Sequence, residues 1–207
     1  LMLETDRAEE VLEETDMAFL FAQKYHSAMK NVGPVRKEMG ERTIFNILGP
    51  LTNPANASRQ LLGVYDKELV EKLAEVLANL GVTRGMSVCG SDGLDEITVT
   101  GPTYCCEIKD GELTSYEITP EQFGLSTYPL AELVGGTPEE NAQITKDILS
   151  GTLKGAKRDV VLMNAGIGIY LGSENLTMEE GIKKAEELIN SGKAYEKMEE
   201  FVKATQQ

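Results

Sequence analysis

Two adjacent carboxylates, Asp95 and Glu96, lie in the stretch VCGSDGLDEITVTG, after an apolar run that ends in a glycine-punctuated turn. Like charges side by side repel, so the pair is tolerated cheaply only if water solvates it or a cation binds to both groups. Mg²⁺ is typically held by one or two carboxylates together with waters and substrate phosphates. The pair is therefore a candidate magnesium site, with an acidic turn that only caps the next element as the alternative; spacing alone does not decide.

A basic segment precedes this pair in the chain. Residues 24–42 contain five Lys or Arg and the only histidine, His26, against two acidic residues, in a chain whose formal net charge is −14. Arg36 offers a guanidinium fork for a carboxylate or a phosphate. The proline-rich run LGPLTNP that follows suits an ordered apolar wall against a flat ligand. A solvated helix face is the plainer interpretation of the charges, and a structural role that of His26.

Two further motifs predict packing or surface charge rather than chemistry. Lys154, Lys157 and Arg158 form a second basic cluster before a helix, interpreted as surface charge. The run NAGIGIYLG, residues 164–172, contains a superficial Gly-x-Gly. It lies inside a helical pattern and does not follow a strand, so we expect close helix packing rather than a nucleotide loop.

Composition narrows the class of protein. The 207 residues are 41% hydrophobic and 26% charged, typical of a globular protein. No run approaches the roughly 20 apolar residues that span a bilayer, and no basic-then-apolar leader is seen. The net charge argues against nucleic acid or an anionic membrane as the main partner. The chain has an odd number of cysteines and no CxxC pair: Cys89, Cys105 and Cys106. We therefore expect all three to be reduced, partly buried strand residues, and the protein to be cytoplasmic.

The elements that must position these residues follow an α/β pattern, in which strands and helices alternate and helices close the chain. Four helical segments are predicted after residue 137, a polar helix over 5–22, and a structured loop over 43–54. Strands are predicted at RQLLGVY, GMSVCG, ITVTG, YCCEIKDGEL and TSYEI, with a hairpin turn at Lys109-Asp110-Gly111.

An amphipathic helix is predicted over DKELVEKLAEVLANLG, with Gly81 as its C-terminal stop. Its predicted apolar face consists of Leu69, Leu73, Val76, Leu77 and Leu80. The expected division of the chain is a helical or hinge segment over 1–45, which carries the basic acceptor-site patch, and an α/β domain over 46–207.

Taken together, residues 24–55 (KYHSAMKNVGPVRKEMGERTIFNILGPLTNPA) and residues 91–98 (SDGLDEIT) resemble the two long signatures of anthranilate phosphoribosyltransferase. The resemblance continues through RQLLGVY and KRDVVLMNAG into the C-terminal helices, and covers essentially the whole chain. It implies a C-terminal α/β domain of the nucleoside phosphorylase/phosphoribosyltransferase type, with a central sheet that is flanked by helices and incomplete.

The resemblance implies a Mg²⁺-dependent glycosyltransferase that moves the phosphoribosyl group of phosphoribosyl pyrophosphate onto anthranilate, in tryptophan biosynthesis. It implies Asp95 and Glu96 as the ligands of Mg²⁺ on the diphosphate. Arg36 matches the arginine that pairs with the anthranilate carboxylate, and His26 and Pro50 match residues that line the anthranilate channel. No residue is expected to act as an acid or a base, because such chemistry depends on positioning and charge stabilisation.

Asp92 is part of the same motif, with a lesser claim on the metal. Ser27 stands where the family usually has proline. The family's N-terminal half, with its glycine-rich diphosphate loop, Lys-His-Gly-Asn-Arg segment and serine-rich motif, is not found. We therefore expect a C-terminal fragment of a homodimeric enzyme, inactive alone and binding Mg²⁺ weakly. The alternatives are a pyrimidine-nucleoside phosphorylase-like enzyme, a nucleic-acid-binding relative and a non-catalytic acidic interaction module.

Overall fold

The computed structural model describes residues 3–26, 33–35, 38–41 and 43–206. The chain divides into two compact units, one formed by Leu1–Asn56 with Tyr195–Gln207 and the other by Ala57–Ala194. These bounds differ from the division between residues 45 and 46 that we expected from the sequence. Compact units are not necessarily domains, so the expected domain division stays a prediction.

The first unit is helical where it is described. Its helices are α1 (Thr5–Thr15), α2 (Ala22–Tyr25), α3 (Phe45–Leu51) and, from Tyr195 onward, α8 (Lys193–Ala204). The guanidinium of Arg7 in α1 donates to the carbonyl of Ala204 at 2.7 Å, and the Lys197 ammonium donates to the carbonyl of Thr15 at 3.2 Å. α1 is shorter than the predicted 5–22, because Asp16 adopts a left-handed conformation with φ 55°.

The prediction of a loop over 43–54 is wrong, since α3 occupies most of it. The Thr43 amide donates to the Asn46 side chain at 2.9 Å, and the Phe45 amide donates to the Thr43 hydroxyl at 3.3 Å. The second bond satisfies the amide of the first helical residue, which has no partner within the helix. Pro50 lies near the end of α3, where a proline interrupts few helical hydrogen bonds.

The second unit is built on a mixed sheet with the order β1-β2-β3-β4. β1 and β2 are parallel, and β2–β3 and β3–β4 are antiparallel. Within the described residues the strands are β1 (Arg59–Gly63), β2 (Arg84–Gly90), β3 (Thr103–Lys109) and β4 (Glu112–Ile118). The predicted hairpin is confirmed, with Asp110 and Gly111 both at positive φ, as a tight two-residue turn requires. The predicted strand at ITVTG is wrong, because residues 97–101 form an irregular loop.

Helices flank this sheet, so the predicted α/β arrangement is confirmed. Met86 and Val88 of β2 belong to the core cluster formed with α6 and α7. Side chains alternate along a strand, and the opposite face of β2 is covered by α4, which contacts β2, β3 and β4. The helices of this unit are α4 (Val70–Asn79), α5 (Pro138–Leu149), α6 (Ala156–Gly172) and α7 (Met178–Asn190).

The apolar face of α4 is rotated relative to the prediction. Val70 and Ala74 are buried with the expected Leu73 and Leu77. Leu80 is 60% exposed. It lies beyond the helix, which ends at Asn79, so the helical period no longer directs its side chain toward the core.

Close packing of α6 on α7 confirms the interpretation of the NAGIGIYLG run. A Cβ added to Gly166 would lie 2.5 Å from the Cα of Ile182, and one added to Gly181 would overlap the Gly166 carbonyl. The interpretation of the second basic cluster as surface charge is wrong for Arg158, which is 6% exposed. Its guanidinium forms an ion pair with Glu186 at 2.9 Å.

The three cysteines lie in β2 and β3 as predicted, and all are free and buried. Burial is the main cause that raises the pKa of the Cys105 thiol to about 12. A thiol in such surroundings is a weak nucleophile, because the thiolate is the reactive form. In the described part of the chain, no helix has the length and apolar character needed to cross a membrane.

Candidate metal site at the carboxyl ends of the parallel strands

The loop after β2 carries Asp95 and Glu96 and lies at the carboxyl ends of the parallel strands β1 and β2. This is the edge of an α/β sheet at which ligands generally bind. The last residue of β1, Gly63, supports the loop from below: a Cβ added there would overlap the carbonyl oxygen of Asp95. Only glycine permits this close approach, so the end of β1 sets the position of the Asp95 backbone.

Asp92 holds the loop together from within. One of its carboxylate oxygens accepts from the hydroxyls of Thr98 and Thr100, both at 2.6 Å, and the other accepts from the Leu94 amide at 3.1 Å. Desolvation alone would raise the pKa of Asp92, but these hydrogen bonds outweigh it, and the pKa lies below the ordinary value. Both oxygens are thus engaged in shaping the loop.

The side chain of Asn164 in α6 forms hydrogen bonds to the backbone at the end of the loop, at Ile97. Its side-chain oxygen accepts from the Ile97 amide at 3.0 Å, and its side-chain nitrogen donates to the Ile97 carbonyl at 2.8 Å. The same nitrogen donates to the Val160 carbonyl one helical turn earlier, at 2.9 Å. The two bonds to Ile97 replace the strand pairing that the sequence pattern of ITVTG predicted.

The sequence did not single out Gly63 or Asn164 for the site. A glycine inside an apolar strand was a signal of close backbone approach, but nothing in the sequence says what approaches it. Asn164 lies in the run assigned to helix packing, and its contact with Ile97 spans 67 positions of sequence.

In contrast to Asp92, the side chains of Asp95 and Glu96 are free. Both residues are exposed, and their carboxylates make no hydrogen bond or ion pair with residues that the structure describes. Desolvation, and then the negative charge of Asp95, raise the pKa of Glu96 above its ordinary value. The two groups thus retain the mutual repulsion that a bound cation would relieve.

This donor set fits Mg²⁺. Among the described residues no group of three or more His, Cys, Asp or Glu side chains could hold a metal. A cation at Asp95 and Glu96 would therefore complete its coordination with water or with phosphate oxygens, which is the usual arrangement for Mg²⁺ and unusual for structural zinc.

An apolar cavity of about 540 Å³ adjoins the two carboxylates. Lys157 lies in its wall and donates to the carbonyls of Glu132 and Val134 at 2.6 and 2.7 Å, so its ammonium fastens the segment after Pro129 instead of facing solvent freely. The apolar lining residues are Leu94, Leu130, Leu133, Val134, Ile144 and Val160.

The predicted acceptor residues belong to the first unit. The backbone amide of His26 donates to the Ala22 carbonyl at 2.8 Å at the end of α2. Pro50 lies in α3 and is exposed. Arg36 lies outside the described residues. The roles predicted for these three residues stay predictions, as does the metal-binding role predicted for Asp95 and Glu96.

Comparison of the sequence with models of known protein families identifies the family of this chain. Residues 1–195 match the model described as "Glycosyl transferase family, a/b domain". The chain belongs to this family. Among curated proteins it is 52% identical over 205 residues to the anthranilate phosphoribosyltransferase of Endomicrobium trichonymphae, a match that covers 99% of this chain and 61% of the relative. It is 50% identical over 205 residues to the enzyme of the same name from Methanobrevibacter smithii, again with 99% and 61% coverage.

Solved structures agree with this assignment. The crystal structure of anthranilate phosphoribosyltransferase from Thermus thermophilus superposes with a TM-score of 0.90 at 42% identity, over 97% of this chain and 59% of that one. The Saccharomyces cerevisiae enzyme in complex with PRPP and Mg gives a TM-score of 0.89 at 32% identity, over 98% and 58%. The predicted resemblance is confirmed, and this glycosyl transferase family chain spans about three fifths of the length of the curated relatives it matches.

Proposed function

We propose that the protein transfers the phosphoribosyl group of phosphoribosyl pyrophosphate to anthranilate, giving N-(5-phosphoribosyl)anthranilate and pyrophosphate. The observation that carries the proposal is the pair of free carboxylates, Asp95 and Glu96, on a clamped loop at the carboxyl ends of parallel strands. Support comes from the relatives named anthranilate phosphoribosyltransferase and from a yeast enzyme described in complex with PRPP and Mg.

In this proposal Asp95 and Glu96 hold Mg²⁺, which when bound neutralises charge on the diphosphate of the substrate. The residues beneath them act on the backbone: Gly63, Asp92 and Asn164 fix the loop before any ligand arrives. Ligands that are already positioned need little reorganisation during the reaction, which is how charge stabilisation becomes effective.

Arg36 is the proposed partner of the anthranilate carboxylate, with His26 and Pro50 lining the acceptor site. We propose the activity for the whole protein, as a cytoplasmic homodimer, and expect the isolated chain to be inactive, because it spans about three fifths of its relatives. The amine of anthranilate forms a bond to C1′ of the ribose as the bond from C1′ to pyrophosphate breaks, and the proton that the amine loses passes to the departing pyrophosphate or to water. The chain supplies charge and orientation for this step.

The first test measures the metal site on the chain itself. Mn²⁺ replaces Mg²⁺ as the probe, and free Mn²⁺ is followed by electron paramagnetic resonance. We expect Asp95→Asn and Glu96→Gln each to weaken binding on the order of tenfold. Glu75→Gln, at an exposed glutamate of α4, is the matched control and should bind like the parent chain. Equal affinities in all four proteins would overturn the metal assignment.

The second test measures the reaction. Loss of anthranilate fluorescence is followed with phosphoribosyl pyrophosphate and Mg²⁺, first with this chain alone and then with the part of the Endomicrobium relative that this chain does not match. We expect turnover only in the mixture, and none when the chain carries Glu96→Gln. Turnover by the chain alone would contradict the expectation of an inactive piece, and a folded but inert mixture would contradict the proposed acceptor.

A further inference from the structure

A row of three positive charges crosses the sheet at the end opposite to the candidate metal site. Arg59 pairs with Arg84 in the register of β1 and β2, and Arg84 pairs with Lys109 in the register of β2 and β3. Residues directly opposite each other in a sheet project to the same face. Arg84 and Gly90 are at opposite ends of β2, about 20 Å apart at the usual rise per residue, so this row is separate from the metal site.

Such a row is electrostatically unfavourable, because like charges directly opposite each other destabilise a sheet. It is also unexpected from composition, since the chain has 34 acidic residues against 20 Lys and Arg. On β4 the row continues to Glu112 opposite Lys109, yet no ion pair joins these two in the described structure.

The two arginines are only partly neutralised. Arg59 donates to carbonyls at the end of α6 and forms an ion pair of 3.3 Å with Glu174, whose side chain is 79% exposed. Arg84 donates to the Ser173 carbonyl, and its guanidinium carbon lies 4.6 Å from the centre of the Tyr170 ring. These contacts cap the C-terminal end of α6, where the helix dipole is negative, but an exposed ion pair adds little.

The row contains one buried donor and one exposed charge that have no partner among the described residues. Arg84 is 8% exposed, and its Nε–H is buried with no hydrogen-bond partner in the described part of the chain. A buried donor without an acceptor is costly to keep. Lys109 is exposed and makes no ion pair with any described residue. The three cationic side chains line one cavity of about 380 Å³, together with Thr83, Asp110 and Glu174.

We propose that this cavity binds a small dianionic oxyanion of the phosphate class. An anion between the three cations relieves the repulsion along the row, and guanidinium groups bind such oxygens with paired hydrogen bonds. Asp110 and Glu174 at the cavity limit the affinity and disfavour larger polyanions. The site is independent of the proposed function, since it lies at the opposite end of the sheet and involves no metal.

Nuclear magnetic resonance with inorganic phosphate as the probe tests this directly. Phosphate replaces chloride at constant ionic strength, without divalent metal, on the complete chain. We expect saturable shift changes at the amides of Arg84, Lys109, Asp110 and Gly111, which lie at or next to the cavity. Shift changes that do not saturate, or that spread over all lysines, would overturn the proposal.

A matched pair of variants provides the control. Lys109→Gln removes an exposed charge that has no ion-pair partner in the described structure, so it should fold normally and bind phosphate about three- to fivefold more weakly, the range expected for one exposed charge. Lys183→Gln, at an exposed lysine of α7, should bind like the parent chain. Equal binding by both variants would overturn the proposal that the anion lies between the three cations.

Two further arms identify the source of the anion and separate this site from the metal site. Glycerol 3-phosphate that saturates the same signals at a lower concentration than inorganic phosphate would identify a phosphate ester as the occupant; the reverse order would identify free phosphate. Amides of residues 91–96 report on the metal site in the same spectra. Their response to Mn²⁺ tests the metal assignment on which the proposed function depends, and this outcome is independent of what phosphate does at Lys109.

Discussion

Each end of the sheet has one charged side chain that is hydrogen-bonded to the protein and at least one that has no partner among the described residues. The charges are negative at one end and positive at the other. At the carboxyl end Asp92 is fully hydrogen-bonded, while Asp95 and Glu96 have no partner among the described residues. At the amino end Arg84 is bonded to the end of α6, while Lys109 has no ion-pair partner in the described part of the chain. Bonded charges therefore fix the backbone at both ends of the sheet, and at the amino end the bonded Arg84 also lines the proposed anion cavity.

The two ends differ in how rigidly the backbone around the unpartnered charges is held. The acidic loop is supported at three points, by β1 beneath it, by Asp92 within it and by Asn164 beyond it. The free lysine ends a strand next to a tight turn. A rigid support favours a geometrically demanding ligand such as Mg²⁺, whereas a flexible ammonium tolerates many anions.

The largest expected effect is that of Gly63→Ala. The new methyl group would overlap the Asp95 carbonyl, so we expect the free energy of unfolding to fall by roughly 3 kcal/mol and Mn²⁺ binding to weaken. Urea denaturation measures the first effect. Gly168→Ala is the control, because a Cβ there meets open space and alanine favours a helix. If the two variants unfold alike, β1 does not support the loop.

Asn164→Leu should have the next largest effect. It removes both bonds to Ile97 and leaves a buried amide and carbonyl unsatisfied, which costs about 2 kcal/mol of unfolding free energy. Hydrogen exchange of the Ile97 amide should accelerate in parallel. The exposed Asn79 at the end of α4, changed to Leu, is the matched control. Unchanged exchange at Ile97 would show that the hydrogen bond to Asn164 is not what protects this amide.

Asp92→Asn should cost about 1 kcal/mol at neutral pH. Because the pKa of Asp92 is lowered in the folded state, its contribution is present above the ordinary aspartate pKa and is lost as pH falls through the folded value. The stability difference between parent and variant should therefore shrink on acidification. Urea denaturation over a pH series checks this, and a difference that is constant with pH would contradict the assignment.

The smallest effect concerns the titration of Glu96 without metal. Desolvation and the neighbouring charge raise its pKa, so the carboxyl should protonate at higher pH than an ordinary glutamate. Asp95→Asn removes the like charge and should move this titration to lower pH, while leaving the contribution of desolvation. Carbon-13 resonances of the carboxyl group follow the titration. An identical titration in the variant would mean that the two carboxylates do not interact.

Much of the fold could be predicted because it depends on local pattern. The apolar runs of β1 and β2, the Asp110-Gly111 turn and the period of α5 to α8 follow from neighbouring residues alone. Predictions of secondary structure failed where hydrogen bonds to side chains, some of them distant in sequence, determine the local conformation. ITVTG has the residues of a strand, but Asn164 takes the place of a neighbouring strand. Residues 45–51 contain a glycine and a proline, yet they form a helix, and Thr43 and Asn46 make side-chain hydrogen bonds at its start.

By itself, the sequence singled out Asp95 and Glu96 as a candidate pair, because they are adjacent in the chain and like charges repel. The resemblance to a known family, and not this spacing, favoured metal binding over an acidic turn. Only the tertiary structure decided which aspartate of that loop is free and which is bonded. It also decided that Arg59, Arg84 and Lys109, each 25 positions from the next, form one row. The physical reason is strand register, which is set by long-range hydrogen bonding and core packing and so is not visible in any local stretch of sequence.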